Sequence, residues 1–281
     1  MATIDAAAVK KLREMTNAGI MDCKSALSEA GGDFDKAATI LREKGIASAA
    51  KKADRAAADG LVGVYVSEDG KSAALIEVNC ETDFVARNEK FQELVNRLAQ
   101  QVGQSQASDI SALMTQTLDG GQSVEEYVKE SIGTIGENIV PARLVAFQAE
   151  NGVVGSYVHT DGKQAALVEV QGSDSEAARQ LARDIAMQAV ALKAPYLNRD
   201  AVPADVIEGE KHIYRQQAAG EGKPEAMLDK IAEGRLNKFY GQSTLLEQPF
   251  IKDDKKTVQQ LLKEAGSATV TRFVRYKVGE A

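Results

Sequence analysis

Few residues in this chain have the types and spacing that covalent or metal chemistry requires. Its two cysteines, Cys23 and Cys80, lie far apart with neither a C-x-x-C pair nor a cluster of histidines beside them. Neither a disulfide framework nor a zinc site is indicated, and both thiols are expected to be reduced and structural. His159, in a strand-like run, and His212, in a helical one, have no nearby Ser or Cys nucleophile signature that would make either a catalytic base. Gly222-Lys223 is followed by Pro224, and Gln217 stands where a phosphate-cradling loop needs its first glycine, so the chain is not expected to bind a nucleotide itself. Acidic pairs such as Asp253-Asp254 fall in loop or helix-start settings that suit solvation or capping rather than general acid–base work.

The residues that do stand out have the chemistry of recognition. In "VNCETDFVARNEKF" a strand-like run ends at Cys80-Glu81, and Asp83-Phe84 then sets an acid beside a bare aromatic at a polar corner. Such a Phe has two readings. It tucks under its own helix as a staple, or it is a rigid apolar wedge offered to another molecule, held at its base by Thr82 and Asp83 as turn and cap residues. Gln188, on an otherwise apolar helical stripe between Ile185 and Leu192, likewise reads as a satisfied core or edge amide or as a contact.

The elements that position these residues fall into three segments. At 281 residues the chain is long enough for two or three compact units. Its 34 basic and 41 acidic residues give a net charge of −7, which argues against a nucleic-acid backbone as partner. No apolar run approaches the ~20 residues of a membrane span, and a soluble, intracellular protein is expected. Residues 5–45 predict three short helices: Asp5 caps the first, with Val9, Leu12 and Met15 on one face, and "TNAG" stops it. The second runs from about Asp22 to Glu29, and the third from Asp33 to Gly45 with Phe34, Ala37, Ala38 and Leu41 as its stripe. The alanine- and lysine-rich residues 47–60 read as a linker with room for some helix.

Beyond it, "GLVGVYVSEDGKSAALIEV" at 60–78 is answered by "GVVGSYVHTDGKQAALVEV" at 152–170, with thirteen of nineteen positions identical. Each copy predicts a β-hairpin turning at Asp69-Gly70 or Asp161-Gly162, followed by a helical stripe: Phe91, Leu94, Val95, Leu98 and Val102, or Leu181, Ile185, Ala189 and Leu192. "ARLVAFQA" predicts an extra strand leading into the second hairpin, giving that sheet at least three antiparallel strands. From Asp205 to Phe239 the pattern is helical twice, broken at "GEGKP", with Ile207, Ile213 and Tyr214 facing Leu228, Ile231, Leu236 and Phe239. One more helix and one more strand follow. The fold class is α+β: a helical bundle with linker over 1–55, core units over 56–141 and 142–281, and a helical hairpin inserted at 204–240. The strand-to-helix junction of the first copy carries five extra residues, at "TDFVARNE", so folding the unit does not itself require the aromatic.

"TDFVAR" at 82–87, "TNAGIMDCKSAL" at 16–27, "IGENI" at 135–139 and "EQPFI" at 247–251 together resemble the bacterial elongation factor Ts family, from about residue 3 to 279. The resemblance implies a guanine-nucleotide exchange factor for the translational GTPase elongation factor Tu, cytoplasmic, without cofactor and not an enzyme. It also implies a ubiquitin-associated-like N-terminal bundle and a coiled-coil insertion, and it leaves room for a homodimer within a 2:2 complex. The hairpin's stripe does not decide whether it pairs two copies, meets another protein or projects. Carried over by position, Arg13, Ile20, Met21, Lys24 and Lys52 would meet the nucleotide domain of the GTPase. Asp83 and Phe84, flanked by Thr82 and Val85, would enter beside its magnesium and phosphate site, and Ile135, Gly136, Gln188 and Ile251 would complete the contacts. The family often has His where this chain has Gln188; a neutral amide donates and accepts hydrogen bonds but cannot become a cation. "YKVGEA" ends where some members continue into a further helical module.

Overall fold

The computed structural model describes residues 4–280 apart from Asn17 and Ser267. Asn17 of "TNAG" and the start of the resemblance at residue 3 lie outside the described residues. The Asp5 carboxylate accepts the Ala8 amide at 2.7 Å and opens α1 (Ala6–Thr16). α2 (Ile20–Glu29) follows, and then α3 (Phe34–Lys52), capped by Asp33, which accepts the amides of Asp35 and Lys36. Val9, Leu12, Cys23, Ala26, Leu27 and Ala37 fill the centre of this bundle. Met15, expected on the buried face, is exposed instead.

The first repeat gives β1 (Asp59–Val66) and β2 (Ser72–Cys80), then a one-turn helix α4 (Asp83–Ala86), α5 (Glu89–Ser105), α6 (Ile110–Met114), α7 (Val124–Ile135) and β3 (Ile139–Gln148). The second gives β4 (Gly152–Val158), β5 (Gln164–Gln171) and α8 (Glu176–Leu192). A 3₁₀ turn (Arg199–Ala201) leads to the hairpin α9 (Ala204–Gly220) and α10 (Glu225–Ser243). The chain closes with β6 (Pro249–Phe250), β7 (Asp253–Thr257), α11 (Val258–Glu264) and β8 (Thr269–Lys277). The hairpin's apolar seam is Ala218, Leu228 and Ala232, while Ile213, expected to face inward, is exposed.

Two predicted details change. The hairpin loops are not two-residue turns: only Gly70 (φ +69) and Gly162 (φ +68) are left-handed. Asp69 instead accepts the Ser67 hydroxyl and the Lys71 amide within a longer loop. The strand at "ARLVAFQA" does not join the second sheet either. β3 pairs with β2, giving the order β1-β2-β3, and the third strand of the second sheet is β8, in the order β4-β5-β8. Both third strands are met at the same point of the repeat, with a register shift after Glu77 in one sheet and after Glu169 in the other. The 141/142 division falls inside β3.

The two sheets pack face to face. Val62, Leu75, Phe147, Val154, Leu167 and Tyr276 fill the space between them, so it is a packed core and not a cleft. Each sheet's outer face is covered by its own helix, α5 or α8. Central strands buried on both faces explain the near-continuous apolar runs of β2 and β5. The edges are exchanged: Val62 N–H donates to Gly162 O at 2.9 Å, and Val154 N–H donates to Gly70 O at 2.7 Å. Each hairpin turn thus covers the exposed edge of the other copy.

α3 passes through Gly45, where the sequence predicted it to stop, and runs into the stretch read as a linker. The reason is tertiary. α3 lies on α7 with Gly45 against Gly133, so close that a Cβ on Gly133 would sit 2.6 Å from the Gly45 Cα. Arg42 pairs with Glu126 at 2.6 Å, and Lys52 Nζ donates to Ile132 O at 3.3 Å near the carbonyl end of α7. Packing there outweighs the ~1 kcal/mol that a mid-helix glycine costs. The bundle is therefore docked on the core through a helix crossing. Gly133→Ala is expected to destabilise by about 1–3 kcal/mol. Hydrogen exchange would then show protection lost in α1–α3 and kept in α8 and β5.

Cys80 ends β2 fully buried, its thiol donating to Thr82 O at 3.2 Å. Burial, reinforced by the negative charges of Asp59 and Glu137, pushes that thiol from the ordinary 9.0 up to about 12. In this window the folded chain holds a proton that the unfolded chain releases. The stabilisation is complete below the unfolded value and is lost as pH rises through the folded one. Between about pH 9 and pH 12 the unfolding free energy should fall more steeply for the parent chain than for Cys80→Ala in denaturant titrations. At about pH 8 the native thiol should resist iodoacetamide.

Candidate functional site

The corner after β2 is built by its caps. Thr82 caps α4 through a long bond from the Val85 amide (3.4 Å), and Asn88 caps α5 by accepting the Lys90 amide at 2.9 Å. Two caps six residues apart allow the chain one free helical turn between strand and helix. In the second copy Ser175 alone caps α8, and that turn is missing. On the extra turn Val85 and Ala86 face inward and join the core of the first unit. Phe84 faces out and is 81% exposed. Of its two readings the staple is overturned: the ring stands in solvent, whereas Phe91 in α5 is fully buried. Asp83 sits beside it, paired with Arg87 at 3.0 Å on the surface, where such a pair contributes little.

A single helical turn has no stability of its own, so its base must be fixed from elsewhere. Glu137, just after α7, does this. One of its oxygens accepts the amides of Glu81 (3.1 Å) and Thr82 (3.0 Å), and the other accepts the Thr82 hydroxyl at 2.7 Å. The exchange is reciprocal, because Glu81 accepts the Asn138 amide at 2.7 Å. The Asn138 side chain donates onward to Ala53 O and Arg55 O, at 3.3 and 2.8 Å, beyond the end of α3. Gly136, left-handed at φ +95, makes the tight reversal that aims Glu137 and Asn138 inward. Ile135 packs partly against the core, and Gly136 is exposed. Sequence reasoning assigned no role to Glu137 and Asn138, which appeared only within the "IGENI" motif of the resemblance.

The other expected contact residues divide by exposure. On the bundle Ile20 and Met21 are exposed, Met21 by 73%, as are Arg13 and Lys24; exposed Met15 joins them unforeseen. Lys52 is occupied by Ser48 and the Ile132 carbonyl. Val85 is buried, so its role is to seat the turn. Gln188 is fully buried and offers no surface, which corrects the contact reading in favour of a satisfied amide. Its Nε2 donates to Pro249 O at 3.0 Å and to Gln248 Oε1 at 3.3 Å, and its Oε1 accepts the Ile251 amide at 2.9 Å. Gln188 therefore holds "EQPFI" on α8 and presents half-exposed Ile251. Leu192, one turn on, is also exposed although predicted in the stripe.

His159 lies beside the Tyr157 hydroxyl at 3.4 Å, and His212 is exposed on α9. Among the described residues no group of three or more His, Cys, Asp or Glu could hold a metal ion, and no helix is long and apolar enough to cross a membrane.

The arrangement can bind a protein surface with an exposed aromatic on a rigid corner and with separate apolar patches on the bundle and beside α8. The chain is similar to known proteins. The family model described as elongation factor TS matches residues 81–280. Elongation factor Ts of Clostridium botulinum strain Alaska E43 is 46% identical over 283 residues, covering 99% of this chain and 93% of the relative. The same factor from Clostridium botulinum strain Eklund 17B is also 46% identical, with the same coverage. Elongation factor Ts of Aquifex aeolicus is 45% identical over 280 residues, covering 96% of each chain. With a family model matching residues 81–280 and relatives 45–46% identical over nearly the whole length, the chain belongs to the elongation factor Ts family.

Proposed function

We propose that this chain is a guanine-nucleotide exchange factor that grips elongation factor Tu during translation elongation and speeds GDP release by disturbing the GTPase's magnesium and phosphate site. It works in the cytoplasm, takes no nucleotide, metal or cofactor of its own, and forms no covalent intermediate. The observation that carries this reading is Phe84, an aromatic left in solvent on a turn whose base is tied down by three hydrogen bonds that Glu137 accepts.

The mechanism is thermodynamic linkage. A protein that binds the empty GTPase more tightly than the GDP form must weaken GDP binding by the same factor. Shifting a two-state population from 1:99 to 99:1 needs ~5.5 kcal/mol of differential affinity. Burying one Phe contributes only ~1.5–3 kcal/mol. Phe84 therefore acts with other patches: Arg13, Ile20, Met21 and Lys24 on the bundle, Ile135 and Gly136 beside the corner, and Ile251 on the second unit. Thr82, Val85, Gln188 and Lys52 serve from behind, holding the parts that touch the partner.

The test is the dissociation of fluorescent GDP from elongation factor Tu with and without this protein; an unchanged rate sinks the proposal. Phe84→Ala is expected to keep the circular dichroism spectrum and melting temperature of the parent and to slow catalysed release by about tenfold or more in stopped-flow fluorescence. Gln188→Ala leaves the Ile251 amide unpaired and should lower the melting temperature by an amount equivalent to roughly 1–3 kcal/mol. With the nucleotide-free GTPase, the state in which the ring is seated, it should nevertheless weaken complex formation less than Phe84→Ala does in calorimetry, because Gln188 acts only through Ile251.

A further inference from the structure

We infer that Glu137 is a positioning residue for exchange, acting on the partner only through Phe84 by fixing the direction in which that ring is presented. The inference rests on the exchange reading and adds to it a residue that itself need touch nothing outside the chain.

The argument starts from what α4 lacks. It is four residues long, and its own cap bond, from the Val85 amide to the Thr82 hydroxyl, is a stretched 3.4 Å. A turn of this length does not persist alone. Val85 and Ala86 seat one side of it in the core, but seating leaves the turn able to rock about the strand end at Cys80. The bonds that oppose rocking come from Glu137: two backbone amides to one oxygen and the Thr82 hydroxyl to the other. All three donors lie at Glu81 and Thr82, the two residues immediately before the helix. Charge-assisted bonds of this kind are the stronger sort and are directional. Glu81 answers by accepting the Asn138 amide, so neither loop can move without breaking bonds to the other.

A wedge contributes most in the displaced state, where GDP is leaving, whereas the bundle and Ile251 patches hold the two proteins together throughout. Loosening the wedge should therefore lower the maximal rate of release and leave the concentration for half-maximal effect nearly unchanged. A residue that merely keeps the protein folded would not separate the two in this way.

The experiment is a double-mutant cycle on full-length protein, with GDP release from elongation factor Tu followed over a range of exchange-factor concentrations. Glu137→Ala is expected to lower the maximal rate by about tenfold while the half-saturating concentration moves less than about twofold. In the Phe84→Ala background the same substitution should have less than about a twofold further effect, because there is no ring left to aim. Glu137→Gln should recover most of the rate: its carbonyl can accept the two amides and its NH₂ can donate to the Thr82 hydroxyl. Additive losses in the cycle, or a loss confined to the half-saturating concentration, overturn the inference. Should Glu137→Ala melt below the assay temperature, Thr82→Val removes one of the three bonds and is put through the same cycle, with the same outcomes deciding. If the parent chain fails to accelerate release at all, the exchange reading falls and this inference with it. If the parent accelerates release and the losses add, the inference alone is lost.

Discussion

The fold hangs on a carboxylate placed where no carboxylate is comfortable. Glu77 and Glu169, at equivalent positions of the two central strands, point into the interface between the sheets and are 2% and 4% exposed. A buried charge of this kind persists only when paired. Each is met by an arginine from the third strand of its own sheet, Arg143 at 2.7 Å and Arg272 at 2.5 Å. Each arginine then lays its guanidinium over an aromatic of the opposite sheet, Arg143 over Tyr276 at 4.3 Å and Arg272 over Phe147 at 4.0 Å. Removing either arginine leaves its glutamate buried without an ionic partner, which is strongly destabilising, whereas the arginines themselves keep contact with water. The pairing also specifies which strand lies third in each sheet, since only β3 and β8 bring an arginine to that place.

That interface gives the molecule a rigid base, and its rigidity is what makes an exposed aromatic useful. A Phe on a mobile loop would lose conformational entropy on binding and return less of its burial energy as affinity. Here the route from base to ring is short: β2 ends in buried Cys80, Glu81 and Thr82 are bound by Glu137, and Phe84 follows on the turn. The same clasp reaches the bundle through Asn138 and the end of α3. With α3 crossing α7 at Gly45 and Gly133, the bundle's exposed Ile20 and Met21 are held in fixed relation to Phe84. Under the proposed function, separate patches would then bind as one preformed surface, so that several modest contacts together supply a differential affinity that no single one does.

Much of this was legible in the residues. The duplicated hairpins, the helical stripes at Phe91–Val102 and Leu181–Ala189, the helical insertion and the odd chemistry of Asp83-Phe84 all follow from periodicity and turn residues. The rest depended on contacts distant in sequence. The match between β3 and β8 is carried by little more than Arg143 and Arg272, Val145 and Val274, and an aromatic at 147 and 276, too sparse for a repeat search. α3 outran Gly45 because only the crossing with α7 shows why a glycine is wanted there. β6 has only two residues and β7, DDKKT, is polar throughout, so neither shows a strand's apolar alternation. A usable signal did exist for α7, since Ser123 and Glu126 form the S-x-x-E capping box that the structure contains. For Glu137 there was none: a carboxylate that binds amides 55 residues away looks, in one dimension, like any solvated loop acid.

Duplication explains why an exposed aromatic can stand at this corner at all. One unit must pack its sheet, cover the sheet with a helix and close the edge of its neighbour, and both copies do this with matching residues. The strand-to-helix corner is free of these duties. In the second copy it is a short link in which Ser175 caps α8 directly, and the unit folds without anything more. The first copy has five further residues at the same place, and they carry the one-turn helix and its ring. An exposed Phe brings no folding energy and adds a risk of nonspecific association, so its retention has to be sought in a partner. Because the surrounding bonds come from Glu137 and Asn138, outside the repeated segment, the corner could be stiffened without altering the interface on which both copies depend.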